Sequence, residues 1–563
     1  MRKKERTVDE WGSELEEAMD YRVNYGLCDL WPELESIFQN VHPSAATAGP
    51  NIVLSTGDAM LSSLNVPNPA IDIIARSVDA VSKVNVLRSL DNSLLRALRV
   101  REEFEQASLH AYLWGRGFLK VGYDSEFGYN PGLDPMRGLG GFTFSMFDKR
   151  GQRIEFGKAK PGMPWVKCVL PHDILVPKGT GRDLSSAEWV AHRVVRNVMD
   201  VRADKKYSNT MNLKGNMSSE DMLAFYEKPT SGWKWEQLIS RPALSSEEQF
   251  VELWEIHDQR TGKIYVVASG HKSFLRNEVD LMQVHGLPFV SFSFTPSTRS
   301  FWGPSDAFYL LWAQNELADI HIQSSKHRRI SIMKFLVEKG LLTQENKNDL
   351  MSSEIGPYIE VNSGGRDLRN AVATFQPQQS SQTYQEAEVT RRNAREVVGY
   401  SRNQIGEYEQ TGRRTATEAG IVSQASSLRM DRRQAVIGSS YERLFEIINS
   451  LIVSYWKTPR IQQTLNKDGQ EQYVQFVGSD LRGEFDYSVH FTVEKRLDPQ
   501  TRAQRAMSIY SAFAQDPSVD PARLRQFLIS EMDDPAVSNI FPPELRGAAN
   551  ANVQPQVPPM QAG

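Results

Sequence analysis

Thr415 and Glu418 stand as a T-x-x-E pair in front of a helical pattern that runs to about Trp456. The threonine can accept from the third helical amide while the glutamate reaches back to the cap amide. At 1.5 Å per residue, a continuous helix of this span is on the order of 60 Å long, about twice the diameter of a small domain. The rest of the chain has to be arranged along it. Gly420 and Gly438 are the positions where it would bend, and Pro459 follows its end. The loop in front, "EYEQTGRR", places Arg413 and Arg414 at a polar tip. Three readings are open for it: a phosphate cradle, a hinge or a plain surface turn. The cradle fails on spacing, because no lysine precedes the threonine as G-x-x-x-x-G-K-[ST] requires.

Upstream, Trp11, Leu15 and Met19 recur every fourth residue and predict a helix over 8–22. Helices are also expected over 68–84 and, as one long element, over 92–114. "GRGFLKVGYDS" (115–125) should stop the latter with glycine and begin a strand. "WVKCVLPHDILVP" and "AEWVAHRVVR" read as strands or strand–helix pieces, "LPFVSFSFTP" as a strand, and 250–269 as a hairpin around Arg260-Thr261-Gly262. Residues 1–300 thus read as mixed α+β, without the strand–helix alternation of a doubly wound sheet. From Gly303 the chain turns helical. A helix starting near Pro304, with Ser305 and Asp306 as cap candidates, leads into a small α/β insert over 326–379. A second helix spans 380–401. After the long helix, 472–493 reads as a hairpin and two helices enter through Asp-Pro. The tail 541–563, rich in Pro, Ala, Gln and Asn, reads as disordered.

The formal net charge is −4 over 563 residues, which argues against wholesale polyanion binding by a basic surface. Cys28 and Cys168 are the only cysteines, too few for a disulfide framework or a cysteine-rich zinc site. The basic N-terminus turns acidic at once and lacks the apolar stretch of a signal peptide. No run reaches the roughly 18 apolar residues of a membrane helix. A soluble intracellular protein is expected.

Chemistry-bearing motifs are sparse. "PKGTGR" (177–182) lacks the full phosphate-loop spacing and reads as a turn. His172-Asp173 and His192-Arg193 could be an acid–base set, but no nucleophile motif accompanies them. His321 and His327 lie six apart, on different helix faces, without zinc spacing. Trp302, Phe308, Tyr309 and Trp312 could stack on bases, yet burial or a subunit interface suits them better. No catalytic residue, cofactor site or metal site is expected. Basic clusters occur at Lys326-His327-Arg328-Arg329, at Arg391-Arg392 with Arg395, and at Arg413-Arg414. Any one of them alone reads as a solvated face; together they border the two helices and the loop that follows.

The order of elements from Gly303 onward resembles the portal proteins of tailed double-stranded DNA bacteriophages. "AYLWGRGFLKVGYDS", "LPHDILVPKGTGRDLSSAEWVAHR", "FVELWEIHD", "FWGPSDAFYLLWAQNELADIHIQ" and "GRRTATEAGIVSQASSLRMDRR" carry the resemblance, over about 60–530. It implies an α+β portal fold. Residues 1–300 and 415–495 would form the wing, 301–325 and 380–400 the two stem helices, and 326–379 the clip. Residues 401–414 would be the tunnel loop and 496–540 a helical crown. It implies no enzyme. The copies would form a ring, usually of twelve, at the capsid vertex in the virion, assembled in the host cytoplasm. Its channel would pass double-stranded DNA irrespective of sequence during packaging and ejection. The partners implied are the terminase large subunit and head-completion, adaptor or tail proteins at the clip, with major capsid and scaffolding proteins at the wing; no membrane is involved. Arg402, Gln404, Gln410, Arg413 and Arg414 in the loop, with Lys326, Arg328, Arg391 and Arg395 on the stem, are the candidates to face DNA. Glu407 and Glu409 share the loop and could cancel its charge. Another connector or collar component, or a nucleic-acid-processing enzyme, are the competing readings.

Overall fold

A computed structural model describes residues 5–40, 50–64, 69–123, 146–147, 153–154, 163–204, 206–215, 250–330, 334–337, 343–344, 348, 372–375, 382–399, 416–457, 459–465, 471–491 and 499–513. Helix α1 (Val8–Gly26) opens on a capping box. The Glu10 amide donates to Thr7 Oγ1 (3.3 Å) and the Thr7 amide to Glu10 Oε2 (2.7 Å). Its Trp11, Leu15 and Met19 are buried, as their spacing predicts. Helices α2 (Trp31–Phe38) and α3 (Ile52–Leu64) follow.

Two expectations fail next. The stretch 68–84 is not a helix but strand β1 (Pro69–Ala75) followed by a 3-10 segment, Val78–Lys83. Ile71 and Ile73 are buried on one side of β1, a period of two that the β-branched side chains favour. The single helix over 92–114 is two, α4 (Val84–Ala97) and α5 (Val100–Trp114). The break is Arg99, which sits in the left-handed region at φ 51°, a conformation no α-helix continues through.

Gly-Arg-Gly at 115–117 then makes the passage from α5 to β2 (Gly117–Tyr123). Gly115 closes the helix at φ 83°. A side chain at Gly117 would collide with the Ala107 carbonyl, so glycine lets the strand lie against the helix. Arg116 between them is buried. Its guanidinium donates to the Phe301 (2.6 Å) and Arg182 (2.8 Å) carbonyls and lies 3.7 Å over the Phe301 ring.

Strands β3 (Met146–Phe147) and β4 (Arg153–Ile154) form a short pair. Then come β5 (Pro164–Val169), β6 (Ile174–Leu175), β7 (Trp189–Asn197), helix α6 (Val198–Ala203), β8 (Phe250–Asp258), β9 (Lys263–Ala268), β10 (Arg276–Val279) and β11 (Phe289–Phe292). They build a five-stranded sheet ordered β10-β9-β8-β7-β6 and a three-stranded one ordered β11-β2-β5, each antiparallel throughout. The expected β8–β9 hairpin is present and turns at Gly262, φ 67°. Trp11 of α1 packs edge-on against Trp189 at 5.6 Å and against Tyr265 at 5.5 Å, which closes one face of the larger sheet.

Helix α7 (Asp306–Ile330) runs five residues past the expected stem boundary at 325. Beyond it, β12 (Lys334–Val337) pairs antiparallel with β13 (Val372–Phe375), and α8 (Gln382–Val398) follows. Helix α9 (Ala416–Tyr455) is one element of 40 residues that passes through Gly420 and Gly438. Tyr441, Leu444, Ile448 and Leu451 form its buried stripe at helical spacing. The capping box at Thr415, most of the insert over 326–379, the second Asp-Pro helix and the tail lie outside the described residues.

The hairpin expected over 472–493 is a different pairing. β15 (Glu471–Phe476) joins β14 (Arg460–Leu465), and β16 (Phe485–Phe491) returns to β1. Asp468-Gly469 lies between β14 and β15, a stronger turn signal than any after β15. After β15 the 3-10 turn Gly478–Leu481 leads the chain away along α9, where only glycine fits against the Ile452 carbonyl. The residues divide into two compact units, Met1–Asn65 with Ala70–His490, and Val66–Pro69 with Phe491–Gly563. In the second, α10 (Pro499–Phe513) starts, as expected, on the first Asp-Pro.

Where α4 meets α9, Asp91 is fully buried and accepts from Asn449 Nδ2 at 2.8 Å. Burial holds its carboxyl well above the usual range, and the Asn449 hydrogen bond only partly opposes this. An acid whose folded pKa is raised works against folding at neutral pH, and that penalty fades as pH falls toward the unfolded value of about 4. Asp91→Asn is therefore expected to gain on the order of 1 kcal/mol at pH 7. Urea unfolding at pH 7 and near pH 4 checks this, because the gain should vanish at the lower pH.

Candidate functional site

The described site is a junction of three helices. Asp306 opens α7, preceded by Ser305, whose Oγ accepts the Phe308 amide at 3.0 Å and caps the helix. The Asp306 carboxylate is buried. It accepts from Thr295 Oγ1 (2.5 Å) and from Arg433 of α9 (2.7 Å). The same Arg433 nitrogen reaches the Val398 carbonyl at the end of α8 (3.4 Å). Gly399 then closes α8 at φ 83°. One guanidinium thus ties the start of α7 and the end of α8 to the long helix.

Because the start of one helix meets the end of the other, α7 and α8 pack antiparallel. Leu310, Ala313, Gln314 and Leu317 bury the first half of α7, and Gln314 Oε1 accepts the Ile52 amide at 2.9 Å. Thr390, Ala394 and Val398 bury one stripe of α8 at a spacing of four. Beyond Leu317, α7 has no fully buried residue among those described.

The candidate basic residues spread along this pair. Lys326 and Arg328 are exposed near the far end of α7, about 30 Å from Asp306 at helical rise. Arg391 lies 3.7 Å from Glu388, one turn earlier, and Arg395 is half-buried near the junction. The structure therefore distributes these four and does not gather them into one cluster. Arg402, Gln404, Gln410, Arg413 and Arg414 lie outside the described residues. Trp302 is fully buried and Phe308 and Tyr309 are half-buried, whereas Trp312 is 45% exposed. The sequence marked Asp306 only as a cap candidate and did not mark Arg433, 127 residues further on. A buried pair at that separation leaves no local signal.

The two histidine pairs are bound up in structural contacts, His192-Arg193 within β7 and His172-Asp173 in the 3-10 turn Pro171–Asp173 before β6. Arg193 and Asp173 form a buried ion pair, with Nε donating at 2.8 Å. Lys120 Nζ donates to Glu255 Oε2 (2.7 Å) and lies 3.1 Å from His192 Nδ1. Burial alone would push the Glu255 carboxyl up, but the Lys120 ammonium and His192 hold it well below the usual range. Burial and Lys120 lower His192, and burial with nearby Arg22 takes His172 down to about 3. His172 sits edge-on to Trp31 and Trp114, 4.7 Å from each ring. "PKGTGR" folds on itself: Thr180 Oγ1 donates to the Pro177 carbonyl (2.7 Å) and the Gly181 amide to Ser186 Oγ (3.1 Å). Among the described residues, no group of three His, Cys, Asp or Glu could hold a metal ion, and no helix is long and apolar enough to cross a membrane.

A family model described as phage SU10 portal protein matches residues 146–561. Among solved structures, the chain is similar to one described as the neck of an empty GTA particle computed with C6 symmetry. The identity is 10% and the TM-score 0.38, over 89% of this chain and 93% of that one. No curated protein gives a match. The matched stretch takes in the antiparallel helices, their junction with α9 and the larger sheet, and the chain belongs to the phage SU10 portal protein family.

Proposed function

We propose that copies of this chain form a ring of about twelve at the portal vertex of a phage capsid, through which double-stranded DNA enters and leaves. The observation that carries this is the family match, which covers α7, the insert, α8 and α9 in one continuous stretch. In this reading 1–300 and 415–495 are the wing, and 301–325 with 380–400 are the stem. Residues 326–379 are the clip, 401–414 the tunnel loop and 496–540 the crown. The clip meets the terminase large subunit during packaging and head-completion, adaptor or tail proteins afterwards. The wing meets major capsid and scaffolding proteins. Electron microscopy of the purified protein tests the reading: a ring with a central hole supports it, and a stable monomer with nuclease or ATPase activity overturns it.

A conduit must pass DNA without holding it. A strongly basic lining would release counterions and grip the duplex, whereas a few basic belts on a near-neutral protein guide it. Arg402, Arg413 and Arg414, with Gln404 and Gln410, would form the belt at the loop. Lys326, Arg328, Arg391 and Arg395 would line the stem. Contacts of this kind go to phosphates and carry no sequence preference. Replacing Arg413 and Arg414 by alanine is expected to leave ring assembly intact and reduce packaged or retained DNA. Nuclease-protected genome length in assembled heads is the readout, and an unchanged length would remove the loop from this role.

A further inference from the structure

A second surface has the chemistry of a DNA contact. On α4, Asn85, Arg88, Ser89, Asn92, Ser93 and Arg96 fall at i, i+3, i+4, i+7, i+8 and i+11, which is one face of the helix. Every one is a hydrogen-bonding residue. Residues 462–464 of β14, Gln-Gln-Thr, form the opposite wall, and the cleft between them has a volume of about 470 Å3. Among the described residues lining it there is no carboxylate, aliphatic or aromatic side chain.

The walls are fixed to each other. Thr464 Oγ1 donates to the Asn85 carbonyl (3.2 Å) and Gln462 Nε2 to Ser89 Oγ (3.2 Å), while Ser89 Oγ donates to the Gln463 carbonyl. Asn92 Nδ2 donates to the Ile71 carbonyl (3.0 Å), and Arg88 is tied to Asp72. The side chains of Asn85, Ser93, Arg96 and Gln463 have no hydrogen bond or ion pair among the described residues, so a standing cleft keeps uncommitted polar groups and one uncommitted cation.

This lining discriminates between partners. A protein partner would need apolar or aromatic anchors, and the described residues of the cleft supply none. A single strand with splayed bases would need a stacking platform, and the described lining has no aromatic ring. Arginine with asparagine, glutamine, serine and threonine is the set that contacts phosphate and sugar oxygens. The face from Asn85 to Arg96 is about 16 Å long at helical rise, or about five steps of one DNA strand. We propose that the cleft between α4 and β14 binds the sugar–phosphate backbone of duplex DNA, independently of sequence and at a place separate from α7, α8 and the loop. This does not depend on the ring or the channel.

The test is fluorescence anisotropy of a short mixed-sequence duplex with the full chain, at about 50 mM salt and upward. R96E combined with Q463E changes two exposed side chains that hold nothing else. Affinity is expected to fall about tenfold, and the slope of log affinity against log salt to become shallower by about one. K326E with R328E, measured in parallel, reports on the stem alone, and the two effects should add because the sites are distinct. If the reversed pair fails to fold by circular dichroism, R96A with S93A replaces it, with an expected loss of about threefold. Wild-type affinity in the folded groove variant overturns the proposal. So does a variant that loses binding to polyglutamate while keeping DNA, which would make the cleft a site for acidic protein.

Discussion

Arg433→Ala is expected to lower the unfolding free energy by about 3–5 kcal/mol, the range for removing one partner of a buried ion pair. The arginine side chain is 10% exposed and Asp306 4%, so water cannot replace the lost guanidinium without opening the core. Among the described residues, the Asp306 carboxylate would keep only the Thr295 hydroxyl, and the Val398 carbonyl would lose its contact with Arg433. The damage should be local to three helix segments. Hydrogen exchange should accelerate at the first turn of α7, the last turn of α8 and α9 around residue 433, with the five-stranded sheet unaffected. Asp306→Asn in the Arg433→Ala background removes the stranded charge and should recover part of the loss. If Arg433→Ala costs less than about 1 kcal/mol, as exposed pairs do, the junction does not hold these helices together.

Lys120→Met should cost a similar amount, about 3–5 kcal/mol at neutral pH, with a pH signature of its own. In the wild type Glu255 has a folded pKa below its unfolded value of about 4.3. Its contribution to stability is therefore complete above that unfolded value and is lost as pH falls through the lower, folded one. Without the ammonium, burial dominates and the Glu255 carboxyl is pushed up, so the folded variant gains a proton in mild acid. Protonation of His192, 3.7 Å from the same oxygen, acts in the same direction. The gap between wild type and variant should be widest at pH 7 and narrow toward pH 5. Urea unfolding across that range measures it. A gap that stays constant with pH would mean that Lys120 matters through something other than its pairing with Glu255, such as the approach of its ammonium to the Phe289 ring.

What could be read from the sequence followed the range of the signal. Helix α9, helix α8 and the β8–β9 hairpin were legible because each is written in a local period or a turn dipeptide. The strand at 69–75 was missed because Pro69 and a mixed apolar pattern fit a helix start as well as a strand. Its partner β16 lies about 400 residues away, and only pairing across that distance decides between them. The break at Arg99 was illegible for a different reason. A left-handed arginine is a tertiary outcome, with no glycine to announce it. For the candidate site, the basic residues on α7 and α8 were visible as charge clusters. The residues that position those helices, Asp306 and Arg433, were not visible, since a buried pair looks like two ordinary charges in a sequence.

The return of β16 to β1 has a consequence for how the chain is made. Arg76 donates its amide to the Glu484 carbonyl and pairs with Asp486, so this seam joins segments about 400 residues apart. At about 5–20 residues per second of synthesis, β1 waits on the order of 20–80 seconds for its partner to emerge. During that interval Ile71 and Ile73 have no strand to join, and β1 is an open edge that another nascent copy could occupy. A protein whose copies are translated side by side on one message is thereby exposed to strand exchange before it is finished. The seam is the last part of the larger unit that can close, and its closing marks the moment when a newly made chain becomes distinguishable from its neighbours.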